Sequence, residues 1–163
     1  MTGTKAIKTA LEATGHLFTN PLNDLSDADL LVRPVPGANH IAWQIGHIIT
    51  SEIGLVTSQI PDAKFPELPT GFKDTHGMKQ TGADTGAFLT KAEYVDLFNK
   101  TRAATIAAVE KLTDADLDKP TSGNMAAMAP TLGAWLLLVS NHTLMHGSQF
   151  SVVRRKLGKP VLF

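Results

Sequence analysis

The sequence of 163 residues predicts an all-α protein, a four-helix bundle formed by a single domain. Four long segments carry apolar residues at the three- and four-residue spacing of a helix, and capping residues, prolines and glycines separate them. No segment shows the sustained alternation of a half-buried strand. A chain of this length is typical of one domain and can bury a sizeable core.

The first helix is predicted over residues 4–20, where apolar side chains recur at helical spacing before Pro21 ends the run. A short capped turn is predicted next, with Ser26 as its N-cap and Asp29 at the capping-box position. Prolines and a glycine then break the chain.

Asn39 is the predicted N-cap of a second helix that runs to about Gln59. Apolar residues lie on more than one side of this helix, so we expect it to be largely buried, with His47 in its middle.

A long loop is predicted over residues 60–90, where prolines and glycines interrupt a segment with little periodicity. Loops of this length are uncommon in compact domains. Two interpretations stay open: the loop packs over the mouth of a site, or it is a structural excursion.

Thr90 and Glu93 form a second predicted capping box, which opens a third helix to about Leu112. The next residues, Leu112-Thr-Asp-Ala-Asp-Leu117, nearly repeat Leu25-Ser-Asp-Ala-Asp-Leu30. The repeat favours two helix-turn-helix halves that pack together as a four-helix bundle, and it is the pattern that a duplication would leave. Residues 130–131 start the fourth helix, which runs to about Leu157.

The composition excludes several classes of function. Fifteen basic and fifteen acidic residues give zero net charge without a long run of either sign, which argues against a nucleic-acid partner and against an anionic membrane. There are no cysteines, so a metal would need His, Asp or Glu ligands. The N-terminus lacks a signal-peptide core and no apolar stretch is long enough to span a membrane, so we expect a cytoplasmic protein.

His142 and His146 lie four residues apart in the fourth helix, on the same stripe as its large apolar residues. A single buried histidine is usually a hydrogen-bonded core residue. Two on one face are less easily explained, because protonating both would be unfavourable there. His47 on the other strongly apolar helix strengthens the metal interpretation, since bundles build metal sites from inward side chains on facing helices.

Five other polar residues were weighed as site residues. We expect His40 to cap a helix or to contact a metal ligand rather than the metal, and His16 to be a hydrogen-bonded core residue. His76 in the long loop is expected to be solvated, with lining of the site entrance as the alternative. Glu52 is predicted to be solvated or to bridge helices, because it points well away from His47. Gln149 is the predicted second-layer partner that would hold an imidazole or a bound water.

These residues, in this order, carry a family resemblance. The run from Pro36-Gly-Ala-Asn-His to Trp43-Gln-Ile-Gly-His47, the Leu-Thr-Asp-Ala-Asp-Leu turn, His142-x-x-x-His146-Gly-Ser-Gln149 and Arg154-Arg-Lys-Leu-Gly158 resemble the DinB-like superfamily. That superfamily includes the YfiT-type proteins and thiol-dependent S-transferases. The resemblance implies a four-helix bundle, often a homodimer, with a divalent metal held by His47, His142 and His146. The family often has a charged residue and Gly-Gln after the last histidine, where this chain has Gly147-Ser148-Gln149.

Three neutral imidazoles would leave an ion with an open coordination position, which favours catalysis over a closed structural site. Imidazole ligands suit several divalent metals, and we expect zinc or nickel. The resemblance implies a small-molecule substrate and one of two reactions, thiol transfer or hydrolysis. In thiol transfer, a low-molecular-weight thiol would be the cosubstrate. The resemblance slightly favours thiol transfer. Two alternatives remain: a metal-binding or stress-related protein without catalysis, and a plain bundle whose histidines are core residues.

Overall fold

The structure, a computed structural model, describes residues 1–80 and 86–162. Four long helices form its body: α1 (Gly3–Thr19), α3 (Ile41–Gln59), α5 (Lys91–Val109) and α7 (Leu132–Lys156). Between them lie three one-turn helices, α2 (Asp27–Leu30), α4 (Phe72–Thr75) and α6 (Asp114–Leu117), and 3-10 turns at Asn20–Leu22 and Met78–Gln80. Within these two ranges there is no strand beyond one isolated bridge, so the all-α prediction is confirmed.

The helix starts follow the capping chemistry of the sequence. Reciprocal capping boxes begin α2, α5 and α6, and in each the side chains of the N-cap and of the third helical residue bond the other's backbone N–H. The predicted N-cap of α3, Asn39, is wrong by one residue. His40 caps this helix instead, because its Nδ1 accepts a hydrogen bond from the Trp43 backbone N–H at 3.0 Å.

Helix α1 packs along α7, and α3 packs against both α5 and α7. Gly147 on α7 permits the close approach of α1, since a Cβ there would lie 3.1 Å from the Phe18 ring. Phe18 in turn packs against Phe98 and Phe150, with ring centroids 4.8 and 5.0 Å away. The aromatic cluster joins α1, α5 and α7 at one end of the bundle.

A buried ion pair lies at the centre of the bundle. Arg102 donates to both carboxylate oxygens of Glu52, at 3.0 and 2.8 Å, and Glu52 is only 2% exposed. The remaining N–H groups of Arg102 donate to the Leu11 carbonyl and to the hydroxyls of Thr14 and Thr143. The network therefore connects all four long helices and uses every N–H of the guanidinium. The inter-helix role expected of Glu52 is confirmed, and the alternative of a solvated side chain is wrong.

The segment from residue 60 to residue 80 contains α4, and α4 packs against α3. Phe72 and His76 are buried in this segment. Residues 81–85 lie outside the described ranges. Part of the loop that was predicted to pack over the mouth of a site is therefore not described. Among the described helices, none combines the length and the apolar character needed to span a membrane.

Candidate metal site

The three histidines named from the sequence meet between α3 and α7. His47 comes from the middle of α3, while His142 and His146 come from successive turns of α7. One ring nitrogen of each lies within 4.8 Å of the corresponding nitrogen of the other two. The ring centroids are 4.9 to 5.4 Å apart. In residues 1–80 and 86–162, this is the group of three or more His, Asp or Glu side chains whose placement could hold a metal ion.

Burial keeps these rings neutral in the metal-free protein. Desolvation, with a smaller contribution from the neighbouring histidines, lowers the pKa of His142 and of His146 to about 4. Desolvation also lowers the pKa of His47, although its hydrogen bond to a carbonyl acts in the opposite direction. Near neutral pH each ring therefore has one nitrogen lone pair, which is what a metal ligand requires.

Gln44 orients the ring of His146. The side-chain Nε2 of Gln44 donates to the Asn39 carbonyl at 3.2 Å, so its Oε1 is the atom that faces His146, 3.2 Å from Nδ1. Because that oxygen can only accept, Nδ1 of His146 is the protonated nitrogen. The lone pair is then on Nε2, as in metal sites where the other ring nitrogen donates to an oxygen.

His47 is held in a similar way by a backbone oxygen. Its Nδ1 lies 3.4 Å from the carbonyl oxygen of His76, and its Nε2 lies 3.4 Å from the Ser51 hydroxyl. The ring of Trp43 stacks on it, nearly parallel and with centroids 4.8 Å apart. The carbonyl places the proton on Nδ1, so His47 also presents Nε2 as its lone-pair atom.

His76 is buried, and the prediction that it would be solvated is wrong. Its exposed fraction is 0%. Nδ1 donates to the Phe72 carbonyl at 2.8 Å, and Nε2 accepts from the Tyr94 hydroxyl at 2.7 Å. The ring rests on α3 at Gly46, where a Cβ would lie only 2.1 Å from it. These contacts fix the part of the loop whose carbonyl reaches His47.

Three further polar residues, His40, His16 and Gln149, also had predicted roles. His40 acts as a cap, as expected, whereas His16 is exposed on α1 rather than buried in the core. Gln149 is also exposed, and in the described part of the chain it has no hydrogen bond to any of the three rings. Gln44 makes the contact to His146 that was predicted for Gln149.

Gln44 could have been found from the sequence. It interrupts an apolar stretch of the second predicted helix and lies three residues before His47, so it shares part of that face. A buried glutamine needs hydrogen-bond partners, and the nearby histidines are natural ones. His76 gave no comparable signal, because Gly46 and Tyr94, which help to bury its ring, are remote in sequence.

A pocket opens beside His142, between α3 and α7. It has a volume of about 330 Å³, and we call it the side pocket. Its lining residues are Ser51, Leu55, Met125, Leu138 and His142. The site is therefore closed by protein on the side of Gln44 and His76 and open on the side of His142.

The donor set fits a divalent ion. The three neutral imidazoles converge, and two of them have Nδ1 facing an oxygen acceptor, which leaves Nε2 for the ion. Imidazole nitrogen is a good ligand for zinc and nickel. Three protein ligands would leave a position for a further group on the side-pocket side.

Comparison with known proteins gives the family and the fold. The family model of the DinB superfamily matches residues 10–150. A conserved protein from Enterococcus faecalis has a similar structure, with a TM-score of 0.73 and 16% identity over 98% of this chain and 99% of its own. YfiT from Bacillus subtilis, described as a probable metal-dependent hydrolase with an unusual four-helix bundle topology, gives a TM-score of 0.68 and 16% identity over 96% of this chain and 89% of its own.

No curated protein sequence matches this chain. At 16% identity, the two structural similarities show the fold, and they confirm the predicted four-helix bundle of the YfiT type. The family model covers most of the chain, including all three histidines. The chain therefore belongs to the DinB superfamily.

Proposed function

We propose that this protein is a metal-dependent enzyme in which His47, His142 and His146 hold one divalent ion, zinc or nickel. Its reaction would be the transfer of a low-molecular-weight thiol to a small electrophile. The observation that carries the proposal is the convergence of three neutral imidazoles, two of them oriented by hydrogen bonds, beside an open apolar pocket.

The ligand number favours catalysis. Structural zinc sites in proteins are normally closed by four protein ligands, whereas catalytic sites use three and leave one position open. Here the three imidazoles add no negative charge, so a bound ion would keep its full positive charge and attract an anion.

A bound divalent ion would lower the pKa of a thiol or a water molecule in its open position. The protein's own groups would do the rest. Gln44 and the His76 carbonyl hold two of the rings in place, and the Ser51 hydroxyl lies where the site meets the side pocket. There it can donate a hydrogen bond to the leaving group of an electrophile.

The reaction joins the sulfur of the thiol to the electrophile and releases a leaving group. The thiol loses its proton to solvent, and its sulfur forms a bond to the electrophilic carbon. The bond from that carbon to the leaving group breaks, and the leaving group departs with the electron pair. The products are a thioether and the protonated leaving group.

Hydrolysis is the second candidate, and the similarity to YfiT, described as a probable metal-dependent hydrolase, supports it. Among the described residues, however, no carboxylate belongs to the histidine cluster, and the nearby Glu52 is bound to Arg102. Hydrolysis of an unactivated substrate profits from a general base or acid beside the attacking water. A thiol whose pKa is lowered needs no such group, so we place transfer ahead.

The test begins with untagged protein and measures bound metal per chain by mass spectrometry. We expect one divalent ion in the wild type and loss of that ion in the His142→Ala/His146→Ala double variant. His16→Ala is the matched control, because His16 is exposed on α1, and it should retain the ion. No stoichiometric metal in the wild type, or full retention in the double variant, would refute the site.

The reaction is tested on metal-loaded protein. One assay combines low-molecular-weight thiols with alkyl or aryl electrophiles, and another offers esters and amides. Thiol-dependent turnover that disappears on metal removal supports transfer, and ester or amide cleavage with the same metal dependence supports hydrolysis. Full metal occupancy without turnover in either assay would indicate a metal-binding protein that is not an enzyme.

A further inference from the structure

The side pocket is built along two facing helices. On α3, Ser51 lies one turn after His47 and Leu55 lies one turn further. On α7, Leu138 lies one turn before His142. The pocket therefore has a polar end at the histidines and an apolar end about one helical turn, roughly 5 Å, away from them.

Met125 closes the apolar end of the side pocket, and the segment that carries it is fixed to the bundle. Gln59 at the end of α3 exchanges two hydrogen bonds with the backbone of Ser122, at 3.0 and 3.3 Å. The hydroxyl of Thr121 donates to the Ala129 carbonyl at 2.6 Å, which closes the segment on itself. The wall that Met125 provides is thus tied to the same helix that carries Leu55.

Trp135 holds the two helices together just beyond the pocket. Its indole N–H donates to the Leu55 carbonyl at 2.9 Å, and its ring is buried. This hydrogen bond therefore links α3 to α7 beside the side pocket.

None of the residues that line the side pocket carries a formal charge. The lining away from the histidines consists of Leu55, Met125 and Leu138. These apolar side chains are only half-buried, so part of their surface faces solvent. A neutral apolar group in the pocket would remove that surface from water. A carboxylate or ammonium would lose its hydration there without gaining a partner.

From these observations we infer that the side pocket binds the apolar body of an uncharged small molecule, an alkyl or aryl group, and places its polar reactive end beside Ser51 and His142. Leu55, Met125 and Leu138 determine this specificity. As a substrate pocket it rests on the proposed function, but as a binding site for neutral apolar molecules it needs no metal.

The experiment uses the metal-free full chain, labelled with ¹³C at the methionine methyl groups, and two probes of similar size, benzyl alcohol and benzoate. Metal is removed because a carboxylate would bind an ion directly. Met125 reports on the pocket, and Met145, which is 52% exposed on α7, is the internal reference. We expect saturable shifts of the Met125 methyl signal with benzyl alcohol, none at Met145, and at least about tenfold weaker binding of benzoate, because its charge would be desolvated.

Leu138→Glu should abolish the response of Met125 to benzyl alcohol, while Leu137→Glu should keep it. Leu137 is the neighbouring residue and is exposed. If Leu138→Glu does not fold, the comparison of the two probes on wild-type protein decides alone. Equal or tighter binding of benzoate, or no shift at Met125, would overturn the inference. Either result would leave the metal analysis of the three histidines unaffected, so the two proposals can fail separately.

Discussion

The amide oxygen of Gln44 lies 3.2 Å from Nδ1 of His146, and the amide nitrogen of the same side chain is bonded to the Asn39 carbonyl. The backbone at the start of α3 thus determines which end of the amide faces the imidazole. The imidazole in turn has its proton on Nδ1 and its lone pair on Nε2. A contact between α3 and α7 therefore prepares one ring of the candidate metal site.

Replacing Gln44 by Leu should lower the metal affinity of the protein by about 10- to 100-fold, because His146 would lose the group that fixes its orientation. Competition with a chromogenic chelator measures this affinity. Gln149→Leu is the matched control, since Gln149 is exposed on α7, and its affinity should equal that of the wild type. A Gln44 variant with unchanged affinity would mean that His146 does not need this contact.

Gly46→Ala should displace His76, because the new Cβ would lie 2.1 to 2.4 Å from atoms of its ring. We expect the free energy of unfolding to fall by about 1–3 kcal/mol, as for other overpacked sites. The metal affinity should fall as well, since the carbonyl that faces His47 belongs to the displaced residue. Urea denaturation and the chelator titration measure the two effects.

Gly54→Ala on the same helix is the control for Gly46→Ala. Nothing lies within 4 Å of a Cβ at Gly54, so alanine there should raise the free energy of unfolding by about 0.5–1 kcal/mol through its better helix propensity. If both alanine variants were stabilised, the seat of His76 on α3 would be disproved.

The stability of the metal-free protein should fall as the pH drops below about 6.5. The pKa of His142 and of His146 is about 4 in the folded protein, against an ordinary value of 6.5. Between these values the unfolded chain binds protons that the folded protein does not, so the free energy of unfolding decreases towards acid pH. Denaturation curves at several pH values from 8 to about 5.5, above the range in which most carboxylates titrate, measure it.

His142→Gln/His146→Gln should reduce this dependence, because the two groups with the largest shifts would be absent. A smaller slope should remain, since burial also lowers the pKa of His47 and of His76. A wild-type protein with constant stability across this range, or a double variant with the same slope as the wild type, would contradict the lowered pKa values.

Arg102→Leu should destabilise the protein by about 3–5 kcal/mol, because it leaves the Glu52 carboxylate buried without its partner. Thermal or chemical denaturation measures the loss. Lys100→Ala breaks an exposed pair with Asp96 on the same helix and should change stability little. Similar results for both variants would show that the central network contributes no more than a surface ion pair.

The sequence predicted the elements of the fold well, because their signals are local. Apolar spacing revealed the four long helices, and Ser26, Thr90 and Thr131 marked helix starts that the structure confirms. His47, His142 and His146 were found because two lie on one helical face and the third is central in another apolar helix. Their meeting place followed from the geometry of bundles.

Contacts that depend on tertiary packing were not predictable in the same way. His76 is buried by Gly46, Phe72 and Tyr94, and no local pattern connects these residues. Glu52 points away from His47, but that side of α3 faces α5 rather than solvent, so the carboxylate meets Arg102. The exposure of His16, by contrast, could have been predicted, because His16 is not among the residues that form the buried face of α1.

The most direct test of the central claim is X-ray diffraction from crystals of the metal-loaded protein at energies on either side of the zinc or nickel absorption edge. We expect one anomalous peak per chain, bonded to one ring nitrogen of each of His47, His142 and His146. Absence of that peak in protein that contains stoichiometric metal, or a peak held by other residues, would contradict the three-histidine site.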